Sequence, residues 1–152
     1  MTDRFRMIVA LADLAATEAL GAAIAAHLGT GDVVLLDGDL GSGKTTLARA
    51  ILAALGVAER VPSPTFTLAQ AYRTPRLAVT HYDLYRLKRA SEMDELGMEE
   101  ALEQGAILVE WPDRASGRLP GNALLVRLEA ETERHAILEG PAAWRSLEKA
   151  NA

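Results

Sequence analysis

The sequence predicts a single α/β domain built on a mixed, partly parallel central sheet. Three observations carry this expectation. Strand-like and helix-like segments alternate through the first two-thirds of the 152 residues. Two short runs, Val33-Val34-Leu35-Leu36 and Ala106-Ile107-Leu108-Val109, are apolar throughout, the pattern of strands buried on both faces. The last strand-like segments instead alternate, as an antiparallel pair does. Apolar residues make up 49% of the chain and 28 of them are alanine. The rest suffice for one core, since a chain of this length buries roughly two-thirds of the surface its unfolded form exposes. One domain over residues 1–152 is expected.

Taken in order, Phe5 to Val9 reads as a strand. Asp13 then N-caps an alanine-rich helix, Leu14 to Leu28, in which Leu20, Ile24 and Leu28 share a face and which Gly29 and Gly31 stop. After the strand at Val33 comes a glycine-rich turn, then a helix from Thr45 to Leu55 with Leu47, Ile51 and Leu55 at helical spacing and Gly56 as its stop. Val57 to Pro64 reads as a loop. Thr67 to Tyr72 and Leu77 to Tyr82 read as strands joined by the turn Arg73-Thr74-Pro75-Arg76. Ser91 to Gln104 is a helix interrupted at Gly97, and Ala106 to Val109 is a strand closed by Glu110-Trp111-Pro112. Ala123 to Glu129 and Arg134 to Glu139 form the antiparallel pair, and Ala142 to Lys149 is a short terminal helix.

Composition removes several classes of function. There is no cysteine, which excludes disulfide scaffolds, zinc-thiolate sites, iron–sulfur clusters and cysteine nucleophiles. The longest run without Asp, Glu, Lys or Arg is Ala19 to Gly31, well short of the ~20 residues of a membrane-spanning helix. No export pattern closes the apolar stretch Met7 to Leu11, so a cytoplasmic protein is expected. Sixteen basic residues against 21 acidic give a net charge of −5, with the basic residues scattered. That distribution disfavours a large nucleic-acid footprint on this chain alone.

The deciding motif is Gly38-Asp39-Leu40-Gly41-Ser42-Gly43-Lys44-Thr45, which satisfies G-x-x-x-x-G-K-[ST] between a predicted strand and a predicted helix. Composition alone would produce on the order of 0.002 such matches in a chain this long. Phosphate oxygens need backbone N–H donors at close range, and glycines at 38, 41 and 43 remove the β-carbons that would hold them off. The helix that follows adds the positive end of its dipole. Lys44 brings a charge to the β and γ phosphates, and the Thr45 hydroxyl can reach Mg²⁺. The expected architecture is thus a three-layer, P-loop NTPase-like domain that binds ATP and Mg²⁺. Leu40, Ser42 and Thr46 complete the nucleotide-binding segment.

A metal beside such a cradle needs an acid at the end of a neighbouring strand. Glu110 ends Ile107-Leu108-Val109 and Asp83 ends Leu77 to Tyr82; sequence does not divide the Mg²⁺ contacts between them. Trp111, next to Glu110, can stack on a base or a partner, or simply pack. A guanine-reading N-K-x-D element is missing, because the only lysines are at 44, 88 and 149 and neither of the latter two has an aspartate two residues on. GTP is therefore disfavoured.

Three further segments complete a pattern: Ser63-Pro64-Thr65-Phe66, His81-Tyr82-Asp83-Leu84-Tyr85-Arg86 with Leu96-Gly97-Met98-Glu99-Glu100 after it, and Val109-Glu110-Trp111-Pro112. In this order and spacing the chain closely resembles the TsaE (YjeE) family, the bacterial ATPases of the tRNA threonylcarbamoyladenosine pathway, over about residues 33 to 114. The resemblance implies an ATPase that assists the synthase subunits TsaD and TsaB in placing threonylcarbamoyl on N6 of adenosine 37 in tRNAs reading ANN codons, meeting tRNA only through that complex. It implies that residues 63–66 resemble a first switch loop with Thr65 near the γ-phosphate, that Glu110 looks like the metal-side acid, and that Asp83 lies near Mg²⁺ or the attacking water. The implied catalytic set is Lys44, Thr65, Asp83 and Glu110.

His81 reads more simply as a hydrogen-bonded structural histidine, and Tyr85, Arg86 and Phe66 as packing or surface residues. Two other classes compete with the ATPase. A small-molecule P-loop kinase would share the cradle but needs an arginine-rich lid, for which the span from Gly56 to Ala106 offers little. A nucleotide-switched scaffold with incidental hydrolysis would share every motif.

Overall fold

The apolar run at Val33 becomes the strand around which the sheet is ordered. In the computed structural model, which describes residues 4–57, 68–115 and 117–150, seven strands form one sheet. They are β1 (Arg4–Ala10), β2 (Val33–Gly38), β3 (Ala69–Arg73), β4 (Ala78–Asp83), β5 (Gly105–Glu110), β6 (Leu124–Glu129) and β7 (His135–Pro141), in the order β1-β7-β6-β2-β5-β4-β3. The four central strands β6, β2, β5 and β4 are parallel, and β7, β1 and β3 add antiparallel pairings at the two sides. The mixed sheet expected from the sequence is therefore present, with the expected pair now seen as β6 and β7.

Helices cover both faces, giving three layers. On one face lie α1 (Leu14–His27) and α2 (Lys44–Ala54). Leu47 and Ile51 of α2 are fully buried in one cluster with Val34, Leu36 and Leu108 of the sheet; burying each such side chain stabilises the fold by roughly 1.5–3 kcal/mol. Gly21 lets the two helices approach, since a β-carbon there would stand 2.7 Å from that of Ala50. On the other face α3 (Met98–Gln104) and a 3-10 turn, Ala90–Glu95, close over Val33, Ile107, Val109 and Tyr82.

Local signals placed the element ends to within a residue or two. Asp13 caps α1 by accepting from the Ala16 N–H at 2.9 Å. The α1 C-terminus is capped from afar: the Arg76 guanidinium donates to the carbonyls of Ala25 and Leu28. The helix expected over Ser91 to Gln104 is interrupted at Gly97 as expected, where a left-handed φ of 70° separates α3 from the first piece, which is a 3-10 turn. The terminal helix expected from Ala142 is a 3-10 turn, Ala142–Ser146, before a single α turn, α4 (Leu147–Ala150). Residues 63–66 and Thr67, the expected start of a strand, lie outside the described residues. Among the described residues no helix is long and apolar enough to cross a membrane.

Candidate functional site

Parallel strands deliver their carboxyl ends to one edge of the sheet, and in sheets of this kind the crevice outside those ends is where ligands bind. Here β2 runs into the glycine-rich loop, β5 ends at Glu110 and β4 at Asp83. In register, Leu36 sits beside Glu110 and Glu110 beside Asp83. The two acids therefore leave the same face of adjacent strands, the face that carries α2.

The loop has the backbone its glycines allow. Gly38, Gly41 and Gly43 have φ of 145°, 82° and 105°, values that residues with a β-carbon rarely adopt. At Gly38 a β-carbon would also stand 2.6 Å from the Leu128 carbonyl oxygen and from Ser42 Oγ. Gly43 is the N-cap of α2 and supplies no side-chain hydrogen bond, so the first N–H groups of that helix point into the loop without a competing cap.

Lys44 is 5% exposed, and its ammonium donates to the carbonyls of Gly38 at 2.6 Å and Asp39 at 2.8 Å, with Ser42 Oγ at 3.4 Å. Burial pushes its pKa below the ordinary 10.5, and the nearby Glu110, Asp37, Asp39 and Asp83 carboxylates pull it partly back. The Trp111 ring covers the ammonium, with its centroid 3.9 Å away. Trp111 holds this position at a φ of 59°, a conformation that costs a non-glycine residue of order 1–3 kcal/mol and clusters at functional sites. Its other neighbour is Tyr85, ring centroids 4.9 Å apart.

Thr45 donates its hydroxyl to Glu110 Oε1 at 2.8 Å. The other carboxylate oxygen, Oε2, lies 2.6 Å from Nε2 of the fully buried His81. Asp83 accepts from the Tyr85 N–H at 3.1 Å and is 5% exposed. A cleft of about 440 Å³ opens over these groups, walled by Leu40, Gly41, Gly43, Lys44, Thr45, Thr46, Asp83, Glu110 and Trp111, together with Arg134 from the turn just before β7. Two further clefts flank the loop, one of about 690 Å³ along Asp39 to Ser42 and the β6–β7 turn, the other of about 260 Å³ between Ser42 to Leu47 and the start of α1.

Of the residues expected at the site, the structure brings together Gly38, Leu40, Gly41, Ser42, Gly43, Lys44, Thr45, Thr46, Asp83, Glu110 and Trp111. Thr65 lies outside the described residues. One residue of the cleft wall stands outside those singled out in the sequence. Arg134, in a charged turn with no local signature, has its guanidinium 3.7 Å from where a β-carbon on Gly43 would sit. His81, expected as a hydrogen-bonded structural histidine, is one, with Glu110 as its partner, and it shares a face of β4 with Asp83 two residues on.

The groups gathered here are all oxygens, the two carboxylates at the strand ends and the Thr45 hydroxyl in the first turn of α2, a set that suits a hard divalent cation such as Mg²⁺. The loop has the curvature and open N–H groups that a chain of phosphates needs. A family model described as "Threonylcarbamoyl adenosine biosynthesis protein TsaE" matches residues 11–137. The chain belongs to the TsaE family.

Relatives in that family include the protein named "tRNA threonylcarbamoyladenosine biosynthesis protein TsaE" from Rickettsia felis, 43% identical over 77% of this chain and 69% of its own length. The protein of the same name from Rickettsia prowazekii is 48% identical over 59% of this chain and 62% of its own. That from Mycobacterium tuberculosis H37Rv is 41% identical over 74% and 73%. Among solved structures, YdiB of Bacillus subtilis superposes with a TM-score of 0.73 at 28% identity, covering 99% of this chain and 93% of that one. The likeness to YdiB, over 99% of this chain, reaches beyond the family-model match, to β1 and the end of β7. Membership of TsaE links this chain to tRNA threonylcarbamoyladenosine biosynthesis.

Proposed function

We propose that this TsaE-family chain binds ATP with Mg²⁺ and hydrolyses it to ADP and phosphate in support of N6-threonylcarbamoyladenosine formation at position 37 of tRNAs reading ANN codons. It acts on the TsaD and TsaB synthase pair, which carries out the transfer, and meets tRNA only through them. The absence of cysteine and the family's role favour the cytoplasm as the place of work.

The observation that carries this reading is the 2.8 Å hydrogen bond from Thr45 to Glu110 at the mouth of a glycine-rich loop that also presents Lys44. In phosphoryl transfer the protein contributes position and electrostatics rather than covalent chemistry. The loop N–H groups and α2 hold the β-phosphate. Lys44, already desolvated, stabilises charge developing on the β–γ bridge, where a buried cation acts more strongly than in water. Thr45, Glu110 and Asp83 would hold Mg²⁺, which neutralises the phosphate oxygens when bound. The Asp83 carboxylate, which lines the same cleft, would also orient a water. ATP is favoured over GTP, in line with the missing guanine-reading element.

A small-molecule kinase would need a second substrate pocket closed by basic residues; the cleft over Lys44 has only Arg86 and Arg134 as further basic lining residues among those described, and the family relationship favours the ATPase. Release of phosphate under multiple-turnover conditions, with and without the synthase pair, tests the proposal. Hydrolysis that the pair accelerates supports it. No hydrolysis, despite nucleotide-dependent binding to the pair, would favour the scaffold.

A further inference from the structure

Among the described residues, five polar or charged side chains are buried: Ser42, Lys44, Asp83, Glu110 and His81. The nucleotide reading uses the first four and leaves the histidine without a task. Its ring is fully buried, Nε2 lies 2.6 Å from Glu110 Oε2, and Nδ1 has no hydrogen-bond partner among the described residues. A carboxylate oxygen only accepts, so Nε2 donates. Among the described residues the one hydrogen bond of the ring is therefore to this acid.

The contact divides the labour of the carboxylate. Oε2 is tied to His81 and Oε1 takes the Thr45 hydroxyl at 2.8 Å. The last torsion of a glutamate is broad and nearly two-fold, so the side chain does not choose its own carboxylate plane. A short buried hydrogen bond to one oxygen does choose it. The strand geometry makes the choice rigid: His81 is two residues before Asp83 on β4, Asp83 is the register partner of Glu110, and the enclosed ring has no space to swing away. A histidine kept only for packing would not need its single donor on the acid beside Thr45.

We infer that His81 is a positioning residue of the divalent-cation site, turning Glu110 so that Oε1 faces Thr45 and the glycine-rich loop. This rests on the reading of Glu110 as the metal-side acid. Partners that orient metal-binding side chains from behind are worth about 10–100-fold in metal affinity, and the loss should fall on the metal and not on the nucleotide.

The test is calorimetric titration of ADP into the intact chain, in EDTA and at rising Mg²⁺. His81→Phe keeps a ring and removes the donor. Its ADP affinity in EDTA should match wild type, while the Mg²⁺ concentration that half-maximally tightens ADP should rise about tenfold or more. His81→Gln, whose amide nitrogen ends the side chain where Nε2 donates, should recover most of the loss. An unchanged Mg²⁺ requirement in a folded His81→Phe variant overturns the inference. So does an equal loss with and without Mg²⁺, or a Gln variant no better than Phe. If the Phe variant does not fold, His81→Asn, too short to reach Oε2, takes its place with the same expected and contrary results. A wild-type chain whose ADP affinity ignores Mg²⁺ would instead remove the reading of Glu110, and this inference with it.

Discussion

The Lys44 ammonium lies 3.9 Å from the centroid of the Trp111 ring, so the one cation of the glycine-rich loop is covered by an indole. Phosphate arriving at Lys44 changes the charge in front of that ring, and the ring's emission should change with it. The only other tryptophan, Trp144, is buried against His27 with ring centroids 4.3 Å apart, and its indole N–H donates to the Asn122 carbonyl at 3.1 Å. In a Trp144→Phe variant the fluorescence of Trp111 should therefore respond to ATP, and more weakly to GTP at equal concentration. A silent signal would detach Trp111 from the nucleotide, and equal affinities would remove the preference for adenine.

Lys44 supports two expectations. A charge-assisted hydrogen bond is worth about 1.5–3 kcal/mol, so Lys44→Ala should weaken ATP binding more than tenfold by calorimetry while the chain stays folded. The second concerns pH. Because burial holds the Lys44 pKa below 10.5 in the folded chain, the unfolded chain binds more protons in the interval just beneath 10.5, and stability from this group rises with pH there. Chemical denaturation at a series of pH values should show that rise in wild type relative to Lys44→Met. Parallel curves would contradict the assigned direction.

Glu110 accepts from two donors, Thr45 and His81, and a glutamine offers an oxygen to only one of them. Glu110→Gln should thus lower stability by about 1–3 kcal/mol through the unpaired donor. It should also reduce hydrolysis far more than it reduces ADP affinity. Asp83→Asn should likewise spare ADP binding and impair turnover. Wild-type turnover by either variant, with the synthase pair present, would take that residue out of the site.

Much of this arrangement is legible in the sequence because its signals are local. The apolar run at Val33, the three loop glycines and the spacing of Leu47 and Ile51 need no knowledge of distant residues, and together they fix a strand, a cradle and a helix. Glu110 is legible for the same reason, as the acid that ends a buried strand. What escapes is set by pairing across the sheet. His81 and Glu110 are 29 residues apart and meet only because β4 and β5 pair in parallel with Asp83 opposite Glu110. Arg134 reaches Gly43 because β7 lies on β6, beside the loop-bearing β2. The seating of Arg76 on the end of α1 likewise depends on where the β3–β4 turn falls in space. The interruption of the segment from Ser91 is legible too, since the glycine at 97 that marks it in the sequence adopts a left-handed φ of 70° between the 3-10 turn and α3.

The acidic chain, net −5, carries no basic stripe. Isolated, it should show no salt-sensitive tRNA binding of micromolar strength. It should bind the synthase pair more tightly with ATP than with ADP, and linkage then requires the pair to tighten ATP over ADP by the same factor. Equilibrium titrations of fluorescent nucleotide with and without purified TsaD and TsaB check both directions. Association that ignores the nucleotide would contradict a nucleotide-read partnership.

The most direct test of the central claim is reconstituted threonylcarbamoylation of tRNA by the TsaD–TsaB pair, followed over several turnovers with ATP and Mg²⁺. Modification should be sustained with the wild-type chain and stall after early turnovers when the chain is omitted or replaced by Glu110→Gln. Sustained modification without the chain, or equal rates with wild type and Glu110→Gln, would contradict it.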